Sequence, residues 1–360
     1  MQSPSLRAAA SAASAASAAS AASAAAATSH PRSFALSHER IAVALVAGAL
    51  IAGCGAPSGP PPASGAAAAP AAPELYGAGL FSTGAWDFFI AFTPDQRRAL
   101  FCRADDTFRH YEIFETRLDA AGHWSLPVHP VFATQWSNAD PHISPDGRRV
   151  YFVSNRPDPG ETAARPTYNI WVAALGPDGA WRDAERLPAP ANDPAIDEWS
   201  PSIAANGNLY FGAERPGSRG SDLWLVRLVD GVYQAPENLG EAINTAGNEV
   251  EPWIAPDESY LIFSALDRAD SLGSYDLYLS RKVAGRWTPA RRLAEPINSR
   301  SRDFNQSVSP DGRWLYFSST RPRSAALGAR FDEPRDDAAI RGIGNGKTGD
   351  IYRVAMSALE

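Results

Sequence analysis

Cysteine is almost absent from this chain: Cys54 and Cys102 are the only two among 360 residues. No disulfide framework can hold the fold together, so a hydrophobic core has to do so. Basic runs are missing too. With 33 Lys and Arg against 40 Asp and Glu, the net charge is -7, which makes nucleic acid or a bare anionic bilayer a poor partner. The first 73 residues have almost no aromatic side chains, so the packed region must begin after them. Motifs for covalent or metal chemistry are lacking as well. There is no G-x-S-x-G, no H-E-x-x-H and no Cys/His pairing. "GNGKTGD" (Gly344 to Asp350) lacks the glycine spacing and following helix of a phosphate loop. No catalytic residue, metal or cofactor is therefore expected.

The leading region divides into parts. Residues 1 to 29 are a Ser/Ala near-repeat with nothing large enough to pack. Arg32 and Arg40 then precede the apolar run Ile41 to Gly53, whose 13 residues are too few to span a ~30 Å hydrocarbon core. That order of charge and apolarity is a signal peptide. The run meets Cys54 through "Ile51-Ala52-Gly53-Cys54", which resembles a bacterial lipobox and implies cleavage before a lipid-bearing Cys54. Gly55 at the next position, by resemblance to Gram-negative lipoproteins, implies the outer membrane, facing the periplasm. Residues 54 to 73 are rich in Pro, Ala and Gly and read as a tether. Removing residues 1 to 53 leaves 30 basic and 39 acidic residues, so the lipid rather than charge would hold the protein at the membrane.

From residue 74 to 360 the chain repeats itself. Strand-closing phenylalanines stand at Phe101, Phe152, Phe211, Phe263 and Phe317, each after a turn signal: "TPDQ", "SPDG", "AANG", "APDE" and "SPDG". A second apolar strand follows ("YEIF", "YNIW", "SDLW", "YDLY", "GDIY"), and a further turn and strand in four of the five units. Four short strands per unit at this period predict an all-β fold, a β-propeller of five blades, with six as the alternative if residues 321 to 350 hide a degenerate unit. The last unit lacks a fourth strand, and "PELYGAGLFSTGAWD" (Pro73 to Asp87) reads like the strand that completes a unit elsewhere. The N-terminal strand should thus close the ring. "SPDGRRVYFVSNRP" and "SPDGRWLYFSSTRP" resemble the WD40-like repeat of the TolB kind in bacterial envelope proteins. The resemblance implies a propeller, with a peptidoglycan-associated lipoprotein or another envelope assembly as partner.

Polar columns recur with the blades. Asp87, Asn138, Glu198, Glu249 and Asp303 precede the innermost strands; Glu112, Asn169, Asp222, Asp276 and Asp350 start the third strands; Arg156, Arg215, Arg268 and Arg321 follow the second. A residue demanded in every blade by geometry is expected to pin loops. Read functionally, Asp87, Glu198, Glu249 and Asp303 are instead funnel carboxylates for a ligand. Positions that break the repeat say more. On the channel side, Ala91, His142, Ser202, Trp253 and Ser307 vary, and His142 and Trp253 stand out. Trp253, with Trp199 and Trp86 in the loops nearby, offers a stacking surface. The leading expectation is a monomeric, non-enzymatic binding module for an envelope protein or cell-wall glycan. The alternative is a carbohydrate-active propeller enzyme using the funnel carboxylates.

Overall fold

The computed structural model of the chain describes residues 72–158, 160–323 and 348–359. The leader, Cys54, the tether before residue 72 and residues 324–347 lie outside the described residues.

Among the described residues five antiparallel sheets follow one another as blades, with a two-stranded ribbon, Leu228–Val229 and Val232–Tyr233, in addition. Blade 2 is built from Asn138–Ile143, Arg149–Ser154, Asn169–Leu175 and Trp181–Arg186. Blade 3 comprises Glu198–Ile203, Leu209–Ala213, Asp222–Val226 and Glu237–Asn238; blade 4 comprises Asn248–Ile254, Tyr260–Leu266, Asp276–Val283 and Arg291–Arg292. Blade 5 takes Asp303–Val308, Trp314–Ser319 and Asp350–Ala355 from the end of the chain. Its fourth strand is Glu74–Leu75, paired antiparallel with Arg353 and Tyr352. The innermost strands pack side by side in order, and that of blade 5 packs against that of blade 1, closing a ring of five. No edge is left at the seam between the first and last blades.

Blade 1 is the exception to four strands. Trp86–Phe92, Arg98–Ala104 and Tyr111–Arg117 form a sheet of three, and the returning segment makes only the isolated bridges Glu115↔Val128 and Leu118↔Trp124. Pro127 and Pro130 explain the difference, because neither has an N–H to give to a ladder. Leu126, Val128 and Val131 are left exposed there.

The repeated turn does what its residues dictate. In "SPDG" the Ser144 hydroxyl bonds Asp146 at 2.6 Å, the Gly147 N–H meets the Ser144 carbonyl at 2.7 Å, and Gly147 takes φ of 72°. Ser309, Asp311 and Gly312 repeat it. Phe101, Phe152, Phe211, Phe263 and Phe317 are wholly buried between blades. An Asn on the chain leading out of the fourth strand clips the third strand: Asn192, Asn244 and Asn298 each accept from one backbone N–H and donate to the carbonyl of the same residue, Ile170, Leu223 and Leu277. Ser82 does this for Ile351 at the ring closure. In blade 1 the corresponding residue is Ala133, and the Ile113 carbonyl meets the His129 ring instead.

Candidate functional site

The hairpin turns define one end of the ring, and the loops leading into the innermost strands define the other. At that loop end, Asp87, Asn138, Glu198, Glu249 and Asp303 are all buried. The same partners meet each of them. Arg103, Arg215, Arg268 and Arg321 pair with Asp87, Glu198, Glu249 and Asp303 at 2.6 to 2.9 Å, and Arg156 donates to the Asn138 side-chain carbonyl at 3.0 Å. Each guanidinium lies 5.1 to 5.8 Å from its own blade's strand-closing Phe ring. Each also donates to a loop carbonyl just upstream: Leu80, Phe132, Ala191, Ile243 or Ile297. Thr83, Thr245 and Ser299 add an N–H and a hydroxyl to the carboxylates of blades 1, 4 and 5. A buried carboxylate needs such a full set of donors. Even so, burial pushes Glu198 up to about 7, against the opposing pull of the Asp193 N–H and Arg215.

Of the third-strand column, Asn169 joins this network and three of the acids are held by other partners. Asn169 donates to Glu198 at 2.8 Å, Asp222 accepts from Asn238, Asp276 accepts from the backbone of Leu272 and Gly273, and Asp350 pairs with Arg323. Glu112 departs from it, lying half exposed beside His110.

Inside the ring, every innermost strand carries a bulge whose extra residue has positive φ: Phe89, Asp140, Ser200, Glu251 and Asn305, at 48° to 56°. Two of these are acids. Asp140 accepts from the Ser200 hydroxyl at 2.7 Å and the Ser200 N–H at 3.1 Å, linking blades 2 and 3. Glu251 accepts from the Asn305 N–H at 2.7 Å, linking blades 4 and 5. Burial, with the Glu251 charge adding to it, pushes Asp140 up to about 7, and burial raises Glu251 as well.

Two residues nearer the hairpin end stand His142, Ser202, Trp253 and Ser307, all buried. The Ser202 hydroxyl approaches His142 Nδ1 at 3.4 Å and accepts from the Ile254 N–H at 3.0 Å, while Ser307 donates to the Ile90 carbonyl. Burial lowers His142 to about 4, so it is neutral at physiological pH. Trp253 rests 5.7 Å from Tyr260 within an apolar cluster that includes Val308 and Leu315. Among the described residues it makes no ring contact with Trp86 or Trp199, and no group of three or more His, Cys, Asp or Glu is placed to hold a metal.

Trp86 and Trp199 belong to a different feature. Rings from all five blades make up a collar at the loop end, in two groups. Trp199 lies 4.4 Å from Tyr168 and 6.2 Å from Tyr111; Tyr111 lies 5.3 Å from Phe108, which lies 4.8 Å from Trp86. Tyr275 and Phe304 form the second group, 6.3 Å apart. Arg302 links the two groups, with its guanidinium 4.2 Å from Phe304, 4.3 Å from Tyr275 and 5.3 Å from Phe108.

Phe108, Arg302, Asp140 and Glu251 were not singled out by the sequence. Their columns were legible in principle. Arg302 immediately precedes Asp303, and its counterparts are Trp86, Ser137, Asp197 and Asn248. Ser137, Asp197 and Asn248 each accept a backbone N–H at or just before the start of a third strand, at Tyr111, Tyr168 and Ser221. Arg302, having no acceptor, breaks that rule.

No protein-family model and no curated protein matches the sequence. Solved structures do resemble it. A putative TolB from Agrobacterium tumefaciens is 16% identical, with a TM-score of 0.42 over 75% of this chain and 90% of that one. A GH43 endo-arabinanase from Bacillus licheniformis is 16% identical, with a TM-score of 0.45 over 77% and 96%. A puromycin-hydrolysing peptidase from Mycobacterium tuberculosis is 19% identical, with a TM-score of 0.34 over 62% of this chain and 33% of that one. At such identities the likeness is one of fold alone, and the chain itself, by its own five sheets, is a five-bladed β-propeller.

Proposed function

We propose that this protein is a lipid-anchored propeller of the bacterial cell envelope that binds a protein partner at its loop end and performs no chemistry of its own. One observation carries the reading: the carboxylates repeated by the blades are buried and committed to arginines of their own blade. Among the described residues this end also presents the aromatic collar, the kind of surface on which binding energy concentrates. The anchor at Cys54 and the outer-membrane location rest on the lipobox resemblance and on Gly55, with residues 54 to 73 as the tether.

Asp140 and Glu251 favour a second reading, a carbohydrate-active enzyme. They are unlike, they break the repeat, and Asp140 is raised towards neutrality as a general acid requires. Photo-crosslinking in the intact envelope separates the two. A photoreactive residue at Phe108 or Trp199 is expected to trap a discrete protein, whereas one at Val283 on a hairpin tip is not. Glycan turnover by wild type that disappears in Asp140→Asn with stability intact would overturn the binding reading. Labelling with a palmitate analogue, lost in Cys54→Ser, tests the anchor.

A further inference from the structure

We propose that Arg302 is the anchor of the loop-end site and that it holds the free C-terminal carboxylate of a peptide chain whose last side chain is apolar. The inference rests on the binding reading above and gives that partner a chemistry.

Arg302 differs from the five blade arginines in its hydrogen bonding. Arg103, Arg156, Arg215, Arg268 and Arg321 are each hydrogen-bonded to a side chain and a loop carbonyl of their own blade. The Arg302 guanidinium makes no hydrogen bond among the described residues, and its Nε is buried without a partner. Its charge acts on Glu251 without an ion pair between them. Three rings hold it instead, those of Phe108, Tyr275 and Phe304, from blades 1, 4 and 5. Stacking of this kind fixes the plane of a guanidinium while leaving its N–H edge available. A planar, charged, pre-oriented fork with unused donors is matched by a carboxylate, which takes two parallel hydrogen bonds.

The surroundings select the rest of the ligand. Phe108, with Trp86 packed against it, stands next to Arg302 as an apolar wall. The Tyr111 hydroxyl is already donated to the Phe108 carbonyl at 3.0 Å. A sugar would need several polar groups aimed at its hydroxyls, and this part of the collar offers rings and one cation. An apolar side chain beside a terminal carboxylate satisfies both. The position that supplies Arg302 gives a backbone cap in blades 2, 3 and 4, so the fold does not require an arginine there.

The test uses the full chain, immobilised, and a pool of random decapeptides made twice, once with free C-terminal carboxylates and once amidated. A pool of uronate oligosaccharides runs alongside. Wild type is expected to retain free-acid peptides ending in an apolar residue at least about tenfold over their amides. Arg302→Gln, which keeps a flat polar group against the rings but removes the charge, should abolish that preference, and Arg302→Lys should restore part of it. Thermal unfolding of each variant reports folding, and the wild-type comparison of acid with amide decides the charge requirement by itself if a variant does not fold. A free-acid preference that survives in folded Arg302→Gln overturns the assignment of Arg302 and leaves the binding reading in place. Equal retention of acids and amides, or retention of uronates alone, overturns the terminal-carboxylate assignment and again spares binding. No retention of any probe overturns both.

Discussion

Replacing Asp140 by Asn exchanges a buried acid for a neutral side chain of the same shape. The amide carbonyl can still accept from the Ser200 N–H, so the link between blades 2 and 3 need not be lost. In the folded protein burial raises the Asp140 pKa from 3.8 to about 7, with the Glu251 charge pushing the same way. A folded-state pKa above the unfolded one means that the native state binds the proton more tightly. Asp140 therefore contributes stability below about pH 4, and that contribution is lost as the pH rises through about 7. Three pKa units correspond to about 4 kcal/mol at most. The amide does not titrate, so the difference in unfolding free energy between Asp140→Asn and wild type should shift in the variant's favour by about 2 to 4 kcal/mol between pH 4 and pH 8. Urea unfolding at several pH values measures it, with the change spread between about pH 4 and pH 7 and levelling off above that. Taking the difference cancels other groups, including Glu198, raised to about 7, and His142, lowered to about 4. A difference that does not vary with pH, or one that moves in favour of wild type as pH rises, would show that Asp140 is charged and compensated, and would refute the reasoning.

Arg268→Met should be among the most destabilising changes at the loop end, since it leaves Glu249 buried without its cation. The expected cost is about 3 to 5 kcal/mol, partly recovered in the double variant with Glu249→Gln, read from urea unfolding. Asn298→Ala should cost about 2 to 4 kcal/mol, because the Leu277 N–H and carbonyl and the Leu293 carbonyl lose their side-chain partner. Ala133→Asn, at the blade 1 position where the clip is naturally missing, should cost nothing comparable. Cys102 is wholly buried, and burial pushes its thiol well above the ordinary range. A thiol reagent at pH 8 is expected to label it only as fast as the blade opens, and rapid labelling of native protein would contradict its placement.

The blade count, the ring closure by Glu74–Leu75 and the placing of hairpins at one end could all be read from the chain, because each follows from local chemistry repeated five times. Pro, Asp and Gly make a turn wherever they occur in that order, and a Phe every 51 to 59 residues must be buried somewhere. Trp86 and Trp199 were likewise visible as aromatics in loops. Their neighbours were not. Phe108 meets Trp86 within its own blade, but Arg302 reaches Phe108 only because blade 5 closes onto blade 1, and the Tyr111–Trp199 contact joins blade 1 to blade 3. Trp253, conspicuous in sequence, lies with Tyr260 and Leu315, away from the collar.

Periodicity speaks for what every blade does alike: strands, turns, the arginine–carboxylate clasp and the asparagine clip all lie within one unit, within reach of local spacing. The collar, the placing of Asp140 against Ser200 and the isolation of the Arg302 guanidinium arise between units. No spacing along the chain encodes them, because they depend on how five tapered sheets turn about a common axis, and that angle is set by packing between the blades.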